Sequence, residues 1–232
     1  MQQNDSKRIL TDIGFYGLAL AIGLTVVWFN SAEAACALFI ASRLSYVFFT
    51  GLSLRAQARR LGRETEAEGF GRFAVFHRRV LRYQNIDGMF TVTLAVVTRH
   101  TMDVDVSPWV TWSAGVAVVV VGFAVKGWAV RTLGVGSYTW QDFFVPKAKF
   151  EPCRRGPYRV MKDPMYTIGY LQTYGMALAL LSWPAMLAAI FSQAAILTMN
   201  HVVEKPHFNG LCQRASQAAA KETEVGGVPD PV

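Results

Sequence analysis

Two short polar segments lie on either side of a long apolar stretch in the last third of the chain. Residues 158–166 include Asp163, and residues 200–207 include Glu204 and His207. Carboxylate and imidazole groups can accept a proton or hold a cationic ligand, and a helix that only crosses a membrane needs neither. If the apolar stretch folds back on itself, the two segments emerge on the same side and form one pocket. Asp163, Glu204 and His207 are therefore our candidate catalytic residues.

Other recognisable catalytic arrangements are missing from the sequence. Gly134-Val135-Gly136 follows an apolar segment and has no βαβ unit around it, so a Rossmann nucleotide site is unsupported. His201 and His207 are six residues apart and fall on different helical faces, which makes them a poor metal pair. The three cysteines, at positions 36, 153 and 212, show no metal spacing and are expected to be free thiols in a reducing compartment. We expect no metal site.

The composition is typical of a membrane protein. Of the 232 residues 52% are hydrophobic, the mean hydropathy is +0.25, and the charges are crowded into a few loops. No signal-peptide pattern is present, so the first apolar run is expected to be retained. The net charge of +7 is attributed to cytoplasmic loops and contact with anionic lipid, and no nucleic-acid partner is expected.

Apolar segments close to the ~20 residues that a bilayer core requires predict an all-α, polytopic membrane bundle with five to six membrane segments. They are residues 13–29, 34–54, 80–98 and 108–130, followed by residues 166–181 and 184–199. Ser182-Trp183-Pro184 breaks the last stretch and allows a tight reversal, because proline suits the first position of a helix. The sequence therefore predicts a C-terminal helical hairpin that forms the ligand site.

The distribution of basic residues predicts the orientation of the bundle. Residues 55–82 are rich in arginine and predict a cytoplasmic, membrane-flanking segment. With this segment inside, every Lys and Arg lies on the cytoplasmic side except Arg43, within a span, and Arg99, outside, which satisfies the positive-inside rule. Both termini are then cytoplasmic. Arg43 has either a structural or a functional role. Residues 1–208 are expected to form a single domain, and residues 209–232 a flexible tail.

The motifs near the hairpin resemble a known family. Their order is Gly156-Pro157-Tyr158, Asp163-Pro164-Met165-Tyr166, Gly169, Tyr174-Gly175 and Val203-Glu204-Lys205-Pro206-His207. This order is similar to that of the membrane-embedded phospholipid methyltransferases, and most similar to the phosphatidylethanolamine N-methyltransferases, which also carry a run like Tyr138–Phe144. The resemblance covers roughly residues 120–208. Isoprenylcysteine carboxyl methyltransferases and some sterol reductases share a more general form of the hairpin.

The resemblance implies that S-adenosylmethionine binds in a helical pocket. The family's first cofactor motif falls on Gly127, and its second, an acidic pair before proline, falls on Glu204 and Lys205, where this chain has a lysine in place of the second acid. The remaining cofactor-binding candidates are Tyr158, Pro164, Met165, Tyr166, Gly169 and Gly175. For Gly127, Gly169 and Gly175 the alternative is helix packing.

The resulting functional prediction is methylation of the amine headgroup of phosphatidylethanolamine, toward phosphatidylcholine, at the cytoplasmic membrane face. The donor would come from the cytosol and the phospholipid from the bilayer. A protonated amine must lose its proton before or during attack. Glu204 is expected to hold the amino group of the cofactor, and Asp163 to accept the proton, with His207 or His201 as the alternative acceptor. Other hypotheses are a prenylcysteine carboxyl methyltransferase, an NADPH-dependent sterol-type reductase and a non-catalytic scaffold.

Overall fold

The described part of the chain is helical and contains no strand, which confirms the all-α prediction. A computed structural model describes residues 2–62, 65–145 and 153–225. The helices are α1 Gln2–Trp28, α2 Ala32–Ala58, α3 Glu66–Val97, α4 Pro108–Leu133, α5 Val135–Tyr138, α6 Leu171–Ala179, α7 Trp183–Met199 and α8 Lys205–Val225. Short 3₁₀ helices occur at Gln141–Phe143, Gly156–Arg159 and Ile168–Tyr170, and a π-helical turn occurs at Asn200–Glu204.

Within the described residues, four helical stretches are long and apolar enough to cross a membrane, in agreement with a helical membrane bundle. They are Thr11–Trp28, Ala32–Ala58, Pro108–Leu133 and Trp183–Gln213. The predicted segment 80–98 forms the second half of α3, whose first half carries many charged residues. With nine residues α6 is about 14 Å long, shorter than the ~30 Å apolar core of a bilayer. The number of five to six membrane segments remains a prediction.

The arginine-rich stretch and the tail are both largely helical where they are described. Residues 55–82 form the end of α2 and the first half of α3, while residues 63–64 lie outside the described range. A capping box begins α3, because the Thr65 hydroxyl accepts from the Glu68 backbone and the Glu68 carboxylate accepts from the Thr65 backbone. In the tail, α8 reaches Val225 and residues 226–232 lie outside the described range. The flexibility of the tail remains a prediction.

A buried ion pair joins α2 to α3. Arg43 Nη2 lies 2.5 Å from Asp87 Oδ2, and both side chains are about 5% exposed. The Ser42 hydroxyl lies 3.5 Å from the same carboxylate, and Arg43 Nη1 donates to the Tyr170 hydroxyl at 3.2 Å. A charge inside a membrane helix is costly unless a partner compensates it. The sequence leaves open whether Arg43 has a structural or a functional role. Its ion pair with Asp87 gives it a structural role.

The tip of the C-terminal hairpin is anchored to the connection between α3 and α4. His100 N donates to the Leu180 carbonyl at 3.0 Å, and Met102 N donates to the Leu181 carbonyl at 2.8 Å. The Ser182 hydroxyl caps α7 by accepting from Ala185 N at 3.1 Å and also pairs with the Thr98 hydroxyl at 2.6 Å. The reversal therefore lies at residues 180–182, and α7 begins at Trp183. These contacts fix the tip of the hairpin relative to α3 and α4. They thereby also limit where its open end, with the two polar segments, can lie.

The first leg of the hairpin packs closely on α4 through glycines. A Cβ atom on Gly175 would lie 2.6 Å from both the Gly115 carbonyl oxygen and Val119 N, and a Cβ on Gly115 would lie 2.6 Å from the Gly175 carbonyl oxygen. No real side chain fits at these distances. The two glycines thus allow the backbones of α4 and α6 to touch, as small residues do between membrane helices.

An aromatic core lies at the end of the bundle opposite the hairpin tip. Trp140, Phe143 and Phe144 follow α5 and are buried together with Leu54 of α2, Phe76 of α3 and Val203 of the π-helical turn. Phe76 and Phe144 have ring centroids 4.9 Å apart. This core holds the segment after α5 next to the returning end of the hairpin.

Candidate functional site

The two polar segments predicted to meet at the open end of the hairpin are in direct contact. The Tyr166 hydroxyl donates to Glu204 Oε1 at 2.7 Å. Lys205 Nζ lies 3.4 Å from Asp163 Oδ2, and Asn200 Nδ2 donates to Asp163 Oδ1 at 3.5 Å. Glu204 is 6% exposed. The hairpin therefore brings both candidate carboxyl groups to one place.

These contacts border a cavity of about 470 Å³, within the range of about 300–1,000 Å³ that small-molecule sites occupy. Its charged lining comprises three acids, Asp142, Asp163 and Glu204, and two cations, Lys162 and Lys205. The remaining lining residues are Thr132, Leu133, Ser137, Tyr138, Trp140, Cys153, Tyr158, Met165, Tyr166, Asn200, Phe208, Asn209 and Cys212. Aromatic rings and carboxylates in one concave site suit a ligand with a flat ring and a positive charge.

Turns hold the first polar segment against the cavity. Asp163 and Pro164 begin a turn in which the Asp163 carbonyl accepts from Tyr166 N and Thr167 N, both at 3.1 Å. Proline at the second position favours this geometry because its φ angle is fixed. Gly169 N then donates to the Pro164 carbonyl at 2.9 Å. The turn presents the side chains of Asp163 and Tyr166 to the same side.

A π-helical turn positions Glu204. Lys205 N donates to the Asn200 carbonyl, five residues earlier, within Asn200–Glu204. Pro206 has no N–H with which to continue the α-helical pattern, so the helix departs from that pattern just before it. Isolated π-helical turns inside α-helices occur frequently at functional sites. Here the turn places Asn200 and Glu204 together on the cavity wall.

The Tyr158 hydroxyl and Asn200 Oδ1 are buried on the cavity wall and have no hydrogen-bond partner among the described residues. Burial, with Cys153 and the carboxylates nearby, raises the pKa of Tyr158 well above that of an exposed tyrosine, which keeps the phenol protonated and able to donate. Buried polar groups are nearly always hydrogen-bonded in complete assemblies. A bound molecule with one acceptor and one donor would satisfy both.

Of the candidates from the sequence, Tyr158, Asp163, Met165, Tyr166, Glu204 and Lys205 line the cavity. Pro164 is fully buried next to them. Gly169 lies behind the wall, where a Cβ would meet the Pro164 carbonyl at 3.2 Å, and Gly175 packs on α4. Gly127 is exposed on α4, and a Cβ there would meet nothing within 4 Å.

The histidines do not line this cavity. The His207 ring stacks on Phe143, with centroids 3.8 Å apart and planes 17° from parallel. Its Nε2 lies 3.4 Å from the Asp142 carbonyl oxygen. His201 is exposed on the other side of the helix. Of the three candidate catalytic residues from the sequence, Asp163 and Glu204 therefore line the cavity and His207 does not.

Several lining residues were missed by the sequence reasoning, although helical spacing could have found some of them. Asn200, Phe208 and Cys212 lie four residues before, four after and eight after Glu204, so they share its helical face. Thr132, Leu133 and Ser137 come from the end of α4 and from α5, and Cys153 follows an undescribed segment. Their approach depends on how α4 packs against the hairpin, for which the sequence carries no local signal.

Comparison with known proteins adds independent information on this region. Residues 110–213, which include all the lining residues of the cavity and the whole hairpin, match the family model described as phospholipid methyltransferase. In this region the chain is similar to the phospholipid methyltransferases. The matched region extends from α4 to the first part of α8, whereas α1–α3 lie outside it.

Similar curated proteins carry the name phosphatidylethanolamine N-methyltransferase. The protein of Meyerozyma guilliermondii is 28% identical over 134 residues, which is 53% of this chain and 15% of the relative. The protein of Scheffersomyces stipitis is 31% identical over 98 residues, which is 42% of this chain and 11% of the relative. The protein of Aspergillus flavus is 30% identical over 121 residues, which is 50% of this chain and 12% of the relative. The chain thus aligns with less than a sixth of the length of these relatives. No solved structure matches it.

Proposed function

We propose that this protein is an S-adenosylmethionine-dependent methyltransferase that methylates the amine headgroup of phosphatidylethanolamine at the cytoplasmic membrane face. One observation carries the proposal: the hydrogen bond from Tyr166 to Glu204, which joins both ends of the hairpin at a cavity with facing carboxylates. The family match of residues 110–213 and the names of the fungal relatives support the same chemistry. Since the relatives are much longer, their activity is extended here only as a proposal.

The cavity fits S-adenosylmethionine in size and in the chemistry of its lining. Glu204 would hold the amino group of the cofactor, while the Tyr158 hydroxyl and Asn200 Oδ1 would serve polar groups of its nucleoside part. Trp140 and Phe208 supply aromatic surface for the base. When bound, the cofactor supplies an electrophilic methyl group on a sulfonium, so that a nitrogen lone pair forms the new C–N bond as the S–C bond breaks.

The residues of the chain then have to position the amine and remove its proton. A lipid ammonium, with a pKa near the ~10 of a lysine, has no lone pair at neutral pH. Asp163 faces the cavity and is held by Lys205 and Asn200, so we assign it as the proton acceptor. Alignment of two reactants in a closed site can account for most of the rate in such a transfer.

The proposed orientation places the cavity where both substrates arrive. The distribution of Lys and Arg supports an orientation in which the open end of the hairpin lies at the cytoplasmic leaflet. The cofactor then enters from the cytosol, and the phospholipid arrives by lateral diffusion. A reporter fused to the C-terminus, active only in the cytosol, tests this orientation directly.

The decisive experiment is expression of the chain in a host that lacks phosphatidylcholine, followed by mass spectrometry of its lipids. New mono-, di- or trimethylated headgroups are expected with the wild type and not with Glu204→Gln. Glu33→Gln, an exposed glutamate in the first turn of α2, is the matched control and should behave like the wild type. Label from S-adenosylmethionine in a base-labile ester of a farnesylcysteine analogue, with none in lipid, would instead favour the prenylcysteine enzyme.

A further inference from the structure

A second cavity, of about 710 Å³, lies inside the helical bundle next to the first. It is bordered by α2, α3, α4 and the first leg of the hairpin. Its wall combines apolar side chains with polar ones, which include Gln84, Asn85, Lys126 and Gln172. Three further polar side chains, Arg43, Asp87 and Tyr170, contact one another and form one polar group. The family match does not cover all of this polar group, because α2 and α3 precede residue 110. None of the three residues lines the first cavity, which we call the donor cavity because we propose that the methyl donor binds there.

The two cavities share a wall. Tyr138, Met165 and Tyr166 line both of them. The hydroxyl of Tyr166 is bonded to Glu204 on the side of the donor cavity. A group held at this wall in the second cavity is therefore separated from the donor cavity by the thickness of one side chain. To be methylated, a group held at this wall would have to pass between these residues into the first cavity, where Asp163 lies.

The polar group in the second cavity has an unsatisfied donor. Arg43 is 4% exposed, and two of its nitrogens contact Asp87 and Tyr170. Its Nε has no hydrogen-bond partner among the described residues. A guanidinium presents its donors in a planar fork that suits phosphate oxygens, and an unmade hydrogen bond on a buried cation is costly. The arrangement is suited to a phosphate or another anion.

The same cavity has an apolar edge that faces outward. Val92 of α3 and Phe123 of α4 line it and are 48% and 59% exposed on the surface of the bundle. Gly88 lies on the same lining, and a Cβ there would meet nothing within 4 Å. The cavity thus has open space between α3 and α4, where lipid chains surround the protein. An acyl chain could extend through this edge into the bilayer.

Tyr46 connects the polar group to the shared wall. Arg43 Cζ is 5.7 Å from the ring centre of Tyr46, and Tyr46 belongs to the core cluster against which Tyr166 and Tyr170 pack. In a phosphatidylethanolamine the phosphate and the amine are joined by a two-carbon link. A phosphate at Arg43 would therefore place the amine toward Tyr166.

We propose that the second cavity binds the acceptor phospholipid. Arg43 Nε donates to the phosphate, an acyl chain leaves between Val92 and Phe123, and the amine lies at the wall that Tyr138, Met165 and Tyr166 form. The assignment of this lipid as an acceptor rests on the proposed function, but its binding does not require that a methyl group be transferred. Arg43 would thus have a ligand-binding role in addition to its structural one.

The test is binding of a phosphatidylethanolamine with a fluorescent acyl chain to the full-length protein in detergent, followed by anisotropy. Gly88→Leu fills the open space at the edge and is expected to lower lipid affinity roughly tenfold or more, since a cavity occupied by a side chain excludes the acyl chain. Gly17→Leu, at an exposed glycine of α1 with no neighbour within 4 Å, is the matched control and should bind like the wild type. Thermal unfolding in detergent verifies that both variants are folded.

A second variant tests the phosphate contact without leaving a buried charge unpaired. Arg43→Gln combined with Asp87→Asn removes both charges and should weaken binding about tenfold, as expected for the loss of a charge-assisted hydrogen bond. In competition, unlabelled phosphatidylethanolamine should displace the probe, and a diacylglycerol with the same chains should compete much less.

The outcomes distinguish this site from the proposed function. Wild-type affinity in Gly88→Leu, or in the double variant, overturns the assignment of the cavity. Equal competition by diacylglycerol overturns the phosphate contact. If the wild type methylates no lipid but Gly88→Leu still loses phosphatidylethanolamine binding, the lipid site stands and the proposed function fails.

Discussion

Replacement of Tyr166 by phenylalanine is the sharpest perturbation of the candidate site. The change removes one hydroxyl and keeps the ring, so the loss is confined to the 2.7 Å hydrogen bond with Glu204. A hydrogen bond contributes about 0.5–1.5 kcal/mol to stability, and up to about 3 kcal/mol when one partner is charged. Because the bond also fixes the carboxyl group that we assign to the cofactor, we expect S-adenosylmethionine affinity to fall about tenfold, which is ~1.4 kcal/mol.

The chain offers a matched control for this variant in the same hairpin. The Tyr174 hydroxyl donates to Gln193 Oε1 at 2.6 Å and also joins the two legs. Tyr174 does not line the donor cavity. Tyr174→Phe should cost about 0.5–1.5 kcal/mol of stability, as for a neutral hydrogen bond. Gln193 Nε2 still donates to the Tyr166 carbonyl at 3.0 Å, so Tyr166 should keep its place.

Two measurements on both variants decide the outcome. Thermal unfolding in detergent should show a loss of stability in each. Calorimetry with S-adenosylmethionine should show weaker binding in Tyr166→Phe alone. Equal affinities of the two variants, whether both are unchanged or both reduced, would refute a specific role for the Tyr166–Glu204 bond in ligand binding.

Three further predictions follow from the site and its packing. Glu204→Gln should weaken S-adenosylmethionine binding about tenfold, whereas Asp163→Asn should lower kcat with little change in that affinity. Calorimetry and initial rates separate the two, and equal effects of both variants on binding would contradict the assigned roles. Gly175→Ala should destabilise the protein by about 1–3 kcal/mol, because its Cβ would meet the α4 backbone. Gly17→Ala is its control in thermal unfolding, and equal melting temperatures would disprove the close packing. Finally, stability should fall as the pH rises above about 10, the ordinary pKa of tyrosine, because burial raises the pKa of Tyr158 in the folded state. The stabilisation is fully present below the unfolded pKa and is lost as the pH rises through the folded pKa, so Tyr158→Phe should flatten the alkaline part of the curve. If the stability of Tyr158→Phe depended on alkaline pH as that of the wild type does, Tyr158 would not be the source of the pH dependence.

The sequence alone determined the helical membrane bundle, the hairpin and the meeting of its two polar ends. Each follows from local chemistry. Apolar runs of membrane length form helices, and the Ser182 cap with Pro184 in the first turn of α7 defines a reversal. Once two helices are joined by a short reversal, their far ends must lie near each other. The contacts of Asp163 and Glu204 across the hairpin were therefore predictable without any knowledge of the other helices.

Only the tertiary structure decided which faces of the helices meet. A membrane helix that is apolar all around gives no periodic signal for the side that contacts protein, because lipid and protein neighbours are equally apolar. For this reason the sequence did not show that Gly127 faces outward or that His207 stacks on Phe143. It also could not show the pairing of Arg43 with Asp87, since that contact depends on the rotation of α2 against α3. The second cavity exists only as a consequence of these rotations, whereas the hairpin is a consequence of the order of residues along the chain.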